Sequence, residues 1–178
     1  DSFVASVVHW EPIQKLIVRK ADITVAFKTD PEVTKVAAEI LTDKNPDLLF
    51  VHLDDVDGAG HKFGFDPKLP RYLAAIEKAD EQVGTILKAL EARKTYAKED
   101  WLIIVSTDHG GSGKGHGLDT PEHRTIFLIV SGKSAARGTI EPAPNIVDIV
   151  PTVLEHLGIP VDPQWSLDGK AVGLKAQR

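Results

Sequence analysis

The sequence predicts an α/β domain built on a mostly parallel sheet with helices on both faces. Residues 48–51, 101–105 and 126–130 are uninterrupted apolar runs of strand length, the first read as a strand through Leu53, and this is the pattern of strands buried on both faces. Around them lie segments whose apolar residues recur at helical spacing. Alternation of the two is the mark of a layered α/β protein.

Each element follows from local chemistry. From Pro31, the residues Val33, Val36, Ala37, Ile40 and Leu41 fall on one helical face, with Asp30-Pro31 supplying a cap and a first-turn proline and Asn45-Pro46 ending the helix. The apolar run at 48–51 follows, read as a strand over 48–53. Leu69, Leu73, Ile76, Val83, Ile86, Leu87 and Leu90 trace a stripe along a helix of about six turns. Asp80 lies within that stripe and is expected as a buried hydrogen-bond acceptor. Two further strands come next, at 101–105 and 126–130. The last helix runs over 145–157, with Pro151 as a kink or restart, Gly158 as its cap and Pro160 as its stop. Residues 166–170 read as a turn.

Composition sets outer limits. At 178 residues and 42% hydrophobic content the chain has room for one domain, residues 1–178, or most of a larger one. A net charge of -5 without any basic block disfavours a nucleic-acid polymer as partner. No apolar stretch approaches the roughly 20 residues of a membrane helix. With no cysteine there is neither a disulfide to report the compartment nor a thiolate metal site. The chain opens at Asp1 and contains no methionine, as expected of a processed product or an excised piece.

Five residues carry the chemistry. Asp57 and His61 follow the 48–53 strand in Asp54-Asp55-Val56-Asp57-Gly58-Ala59-Gly60-His61-Lys62-Phe63-Gly64. Asp108 and His109 follow the next strand in Ser106-Thr107-Asp108-His109-Gly110-Gly111, and His116 lies in Gly115-His116-Gly117. Carboxylate oxygen with imidazole nitrogen suits zinc, manganese or iron. In open α/β sheets, ligands bind at the carboxyl ends of strands, where all five residues stand. Gly58 and Gly60 predict a loop that folds Asp57 and His61 toward one point. Neighbours on a regular strand face opposite ways, so Asp108 and His109 can share an ion only if the backbone turns there, which Gly110 and Gly111 permit.

Other polar residues compete with these. His123 also precedes the 126–130 strand, but His116 is favoured because its flanking glycines permit close approach. His9, His52 and His156 read as structural. Asp54 and Asp55 could be ligands, helpers that orient a ligating imidazole, or polar strand-end residues; Asp55 is the better helper candidate. Lys114 could meet a substrate oxygen or be a solvated loop residue.

In order, Asp57-Gly58-Ala59-Gly60-His61-Lys62-Phe63-Gly64, Thr107-Asp108-His109-Gly110 and Gly115-His116-Gly117-Leu118-Asp119 resemble motifs of the alkaline phosphatase superfamily. The branch they resemble most is the type I phosphodiesterases and nucleotide pyrophosphatases. Residues 126–132 and Leu167-Asp168-Gly169 add to the likeness, which spans residues 47–173. The resemblance implies an alkaline-phosphatase-like fold and two divalent ions, zinc first, with manganese or iron as alternatives. It implies that Asp57, His61 and His116 share one ion and that Asp108 and His109 hold the other. The implied substrate is a small phosphate ester, cleaved by a two-metal mechanism through a threonine or serine nucleophile. That nucleophile and a further aspartate belong to an upstream strand. Asp22, Thr24, Thr29, Asp30 and Thr34 do not match its context, so the chain is expected to be a C-terminal portion that is inactive alone. A periplasmic or extracellular setting would agree with the resemblance. Related readings are a non-catalytic metal- or phosphate-binding domain of the same fold, a sulfatase or a phosphomutase.

Overall fold

A computed structural model describes residues 2–18 and 20–176. They form two compact units, one of the described residues up to 97 with 112–115 and one of residues 98–111 with those from 116 onward.

The first unit is built on a three-stranded parallel sheet. Its middle strand β1 (Val4–Val8) pairs with β2 (Ile23–Ala26) on one side and β3 (Leu48–His52) on the other, with Ala5 opposite Ile23 and Leu49. Neither β1 nor β2 stands out in the sequence, because Ser6 and Thr24 interrupt their apolar residues. The buried middle of the sheet is nevertheless β1, whose Ala5, Ser6, Val7 and Val8 are wholly inaccessible to solvent. The short helix α1 (Pro12–Leu16) follows β1, and its Gln14 amide donates to the carbonyls of Ser6 (3.1 Å) and Val25 (2.9 Å), tying it to two strands at once.

Helix α2 (Asp30–Asp43) buries Val33, Ala37, Ile40 and Leu41, the spacing of a single helical face, and Val33, Ala37 and Ile40 form the core with Ala5 and Val7. Its cap is Thr29 rather than the expected Asp30: the Thr29 hydroxyl accepts from Glu32 N and donates to the Glu32 carboxylate. Asp30 is displaced from the role because its side chain is engaged elsewhere. Helix α3 (Asp55–Phe63) follows β3, and α4 (Pro70–Glu91) has the predicted six turns. Asp80 on α4 is exposed, contrary to expectation. The stripe it interrupts is itself shallow there, with Leu73 39% and Ile76 41% exposed, and the buried polar residue is Gln82. Beyond α4, Arg93 binds the Leu41 and Lys44 carbonyls and the Asn45 side chain, fastening the end of α4 to the end of α2.

The second unit contains β4 (Leu102–Ser106), the short α5 (Pro121–Arg124), β5 (Leu128–Gly132) and α6 (Ile149–His156). Here the expectation of parallel strands fails, because β4 and β5 pair antiparallel, Leu102 opposite Gly132 and Ser106 opposite Leu128. The connection between them, residues 107–127, carries only the four-residue α5 and no helix long enough to cover a sheet face as in a strand–helix–strand unit. Both strands begin and end one or two residues later than the apolar runs suggest, and Ile129 is 54% exposed, so the run at 126–130 is not buried on both faces.

The expected helix at 145–157 is a 3-10 turn (Ile146–Asp148) that passes into α6, with Pro151 in the first turn of α6 and Gly158 left-handed at its end. Asp148 knots this region. Its carboxylate accepts from Asn145 N (2.8 Å) and Lys170 N (2.9 Å), and its carbonyl accepts from the Thr152 hydroxyl (2.7 Å). Those donors, Asn145 first, hold its carboxyl below the usual carboxylate range. No helix among the described residues is long and apolar enough to cross a membrane.

Candidate metal centre

Asp57 and His61 lie on a helix, not in the loop that Gly58 and Gly60 predict. Gly58 has open space where a side chain would stand, so it costs α3 about 1 kcal/mol of propensity and nothing more specific. Gly60 is there for close approach: a Cβ would sit 2.3 Å from the Phe65 ring. Helical spacing stacks Asp57 and His61 one turn apart, with His61 Nε2 3.3 Å from Asp57 Oδ2. Two donors about 2.1 Å from one ion at a tetrahedral angle lie about 3.4 Å apart. The pair is therefore spaced for one ion.

The imidazole is also held in the right tautomer. His61 Nδ1 donates to the Lys114 carbonyl at 3.0 Å, and since a carbonyl can only accept, Nε2 keeps its lone pair for the side where Asp57 stands. Phe65 meets the His61 ring edge-on, 5.5 Å between centroids, and Tyr72 packs edge-on against Phe65 at 5.8 Å. Burial, and then the Asp57 charge, raise the Tyr72 phenol above its ordinary value. Lys114 takes part through its backbone, a role that its side-chain charge does not suggest.

In the second unit, β4 stops at Ser106 and the chain bends at Asp108, as sharing an ion requires. His109 Nε2 lies 3.7 Å from Asp108 Oδ2. His109 Nδ1 donates to the Gly110 carbonyl at 2.9 Å, so here too Nε2 retains its lone pair. The Thr107 hydroxyl steadies the bend by donating to the His109 carbonyl at 3.0 Å. Gly110 is not left-handed; it is glycine because a Cβ would lie 2.1 Å from the Glu122 carbonyl oxygen, while its N–H donates to the His123 carbonyl at 2.9 Å. His116 stacks on His109, with ring centroids 3.8 Å apart. Its flanking glycines do not serve close approach, since both have open space beside them, but Gly117 is left-handed (φ 90°). The rival His123 is buried and its Nδ1 accepts from Leu118 N at 2.9 Å, a structural engagement. His156 is likewise structural, its Nε2 donating to the Asp100 carbonyl at 2.9 Å.

A second histidine and carboxylate cluster, not anticipated from sequence, joins His9, Asp30 and Asp55 in the first unit. Asp30 is fully buried, and its Oδ1 accepts from His9 Nδ1 (2.7 Å) and Asp54 N (2.8 Å) while Oδ2 accepts from Asp55 N (2.9 Å). Three donors occupy the carboxylate, and 2.7 Å is a hydrogen-bond length rather than a spacing across an ion, so this cluster is a structural network. Burial first, and then the neighbouring Asp30 charge, raise the Asp55 carboxyl above its ordinary value. The other hydroxyls and carboxylates weighed as nucleophile or ligand candidates have structural employment: Asp22 accepts from Val4 N, Thr24 is in β2, Thr29 caps α2, and Thr34 donates to the Asp30 carbonyl.

The donor set is oxygen and nitrogen, the spacings suit shared ions, and both Nδ1 protons are held by carbonyls, so the residues fit a divalent metal. The chain is a member of the type I phosphodiesterase / nucleotide pyrophosphatase family, which it matches over residues 1–130, and thereby of the alkaline phosphatase superfamily. It is 29% identical over 138 residues to GPI ethanolamine phosphate transferase 3 of Schizosaccharomyces pombe, covering 74% of this chain and 14% of that protein. It is 26% identical over 150 residues to the 2,3-bisphosphoglycerate-independent phosphoglycerate mutase of Desulforudis audaxviator, covering 82% and 25%. To the phosphopentomutase of Clostridium beijerinckii it is 28% identical over 121 residues, covering 68% and 28%. A crystal structure of Leishmania mexicana phosphoglycerate mutase at low cobalt concentration matches with a TM-score of 0.68 over 98% of this chain and 38% of that one; at 14% identity this likeness shows the fold alone. The chain thus spans less than a third of the curated relatives it matches.

Proposed function

We propose that the chain binds two divalent ions, zinc in the first instance and manganese or iron as alternatives, and acts in phosphoryl transfer on a small phosphate ester. The observation that carries this reading is shared by His61 and His109: each donates Nδ1–H to a backbone carbonyl and keeps Nε2 for a ligand beside an aspartate. Motif order assigns Asp57, His61 and His116 to one ion and Asp108 and His109 to the other. Bound ions of this kind neutralise phosphate charge and acidify an attacking oxygen.

The protein's own contribution is orientation. The Lys114 carbonyl and the Phe65 ring hold the His61 imidazole, and the bend after β4, steadied by Thr107, presents Asp108 and His109. No residue of the chain is assigned as nucleophile, and the chain by itself is expected to bind metal weakly and turn over little. The small acidic balance, without a basic block, suits a compact ester held by metal better than a polymeric phosphate backbone.

Hydrolysis of a diester or pyrophosphate is the form of the chemistry that the family match favours. A second reading, transfer of the phosphoryl group to an alcohol, is favoured by the transferase and the mutases among the relatives. A non-catalytic binding domain is the third outcome of the test. Titrating zinc or manganese into the protein should show two ions, with one lost in His61→Ala and the other in His109→Ala; binding unchanged in both variants refutes the metal reading. Incubation of the metal-loaded protein with an activated phosphodiester and excess glycerol then separates hydrolysis from transfer by the product of its small turnover, and turnover no greater than that of the combined His61→Ala, His109→Ala variant favours the binding domain.

A further inference from the structure

We infer that Asp30 is the positioning residue for the Asp57–His61 pair, with His9 holding its carboxylate in place. The inference rests on the metal reading above and deepens it. Helix α3 has nine residues, two of them glycine, and its N-cap Asp54 makes no side-chain capping bond. An isolated helix shorter than about 12–15 residues is marginal in water, and each internal glycine weakens it by about 1 kcal/mol relative to alanine. Something outside α3 must therefore hold its first turn.

Asp30 does so from another element. It is the first residue of α2, wholly buried, and its two oxygens accept the consecutive backbone N–H groups of Asp54 (2.8 Å) and Asp55 (2.9 Å), where α3 begins. This is the task of an N-cap side chain, performed across 24 and 25 residues of sequence. A carboxylate at the positive end of a helix is favoured electrostatically as well. His9, just beyond β1, donates Nδ1–H to Asp30 Oδ1 at 2.7 Å and so joins a third element to the same carboxylate. Asp57 follows two residues after the second tethered amide, and His61 one turn later. The 3.3 Å spacing of that pair depends on the first turn being formed.

The test uses Asp30→Asn in the full chain. Asparagine keeps the volume, but its NH2 group must face one of the donors that the carboxylate accepts. Amide hydrogen exchange over Asp55–Phe63 should speed at least tenfold while α4 amides are unchanged. Cobalt(II) affinity at the His61-dependent site should fall by about 10- to 100-fold, with an altered visible spectrum, while the His109-dependent site keeps its affinity. His9→Gln, which leaves α2 intact, should shift exchange and spectrum in the same direction by a smaller factor and serves where Asp30→Asn fails to fold. Combining the two should be no worse than Asp30→Asn alone. Unchanged α3 exchange overturns the inference, as does loosened α3 with wild-type cobalt affinity and spectrum. Should His61→Ala leave cobalt binding intact, the metal reading fails, and exchange alone then decides whether Asp30 tethers α3.

Discussion

Replacing Gly110 by alanine should cost the protein about 2–4 kcal/mol of stability, by overpacking and a lost hydrogen bond together. A Cβ at Gly110 would lie 2.1 Å from the Glu122 carbonyl oxygen and 3.0 Å from that of Thr125. Carbon and oxygen normally approach to about 3.3 Å, so one side must move by about 1 Å, and both obstacles are backbone. The movement also pulls Gly110 N from the His123 carbonyl that it meets at 2.9 Å. For a chain of this length such a loss lowers the melting temperature by about 5–15 °C. Because His109 immediately precedes Gly110 and bonds its carbonyl, the His109-dependent ion should bind at least tenfold more weakly. Gly115→Ala is the control: nothing lies within 4 Å of its Cβ and its backbone is not left-handed, so its stability should stay within about 0.5 kcal/mol of wild type. Thermal unfolding followed by near-UV circular dichroism, with zinc titration of each variant, measures both effects. A Gly110→Ala protein as stable as Gly115→Ala and equally able to bind zinc would refute the packing argument.

The two candidate histidines after β4 should separate cleanly. His116→Ala, at an exposed ring, should weaken zinc binding with little change in stability, whereas His123→Ala should destabilise by about 2–4 kcal/mol because it empties a buried, hydrogen-bonded position; urea unfolding and zinc titration of both distinguish them, and the reverse pattern would make His123 the ligand. Asp148 should confer a stability that depends on pH. Its folded-state carboxyl lies below its ordinary value of 3.8, so the contribution is present above that value and is lost as pH falls through the lower folded one. Asp148→Asn should cost about 2–4 kcal/mol at neutral pH, from two charge-assisted backbone bonds, and should flatten the acid limb of stability; parallel acid limbs in the two proteins would disprove the role.

The sequence alone determined the parts whose cause is local. Helices α2 and α4 are legible because their apolar residues repeat at helical spacing, and the strands at 48–52 and 102–106 because unbroken apolar runs have few alternatives. The five candidate ligands stood out by residue type and by their place after strands. Tertiary structure decided what rests on distant partners. Strand β1 is central only because β2 and β3 pair with it, a relation that five residues of intermediate pattern cannot announce. The Asp57–His61 segment is helical although two glycines argue for a loop, because Asp30, 24 and 25 residues away, accepts the amides of its cap residue Asp54 and its first residue Asp55. Gly110 reads as a turn former but is required by the Glu122 carbonyl beside it. Periodicity and residue type act over a few neighbours, whereas a buried carboxylate is satisfied by whichever donors the fold delivers to it, and only the folded chain specifies those.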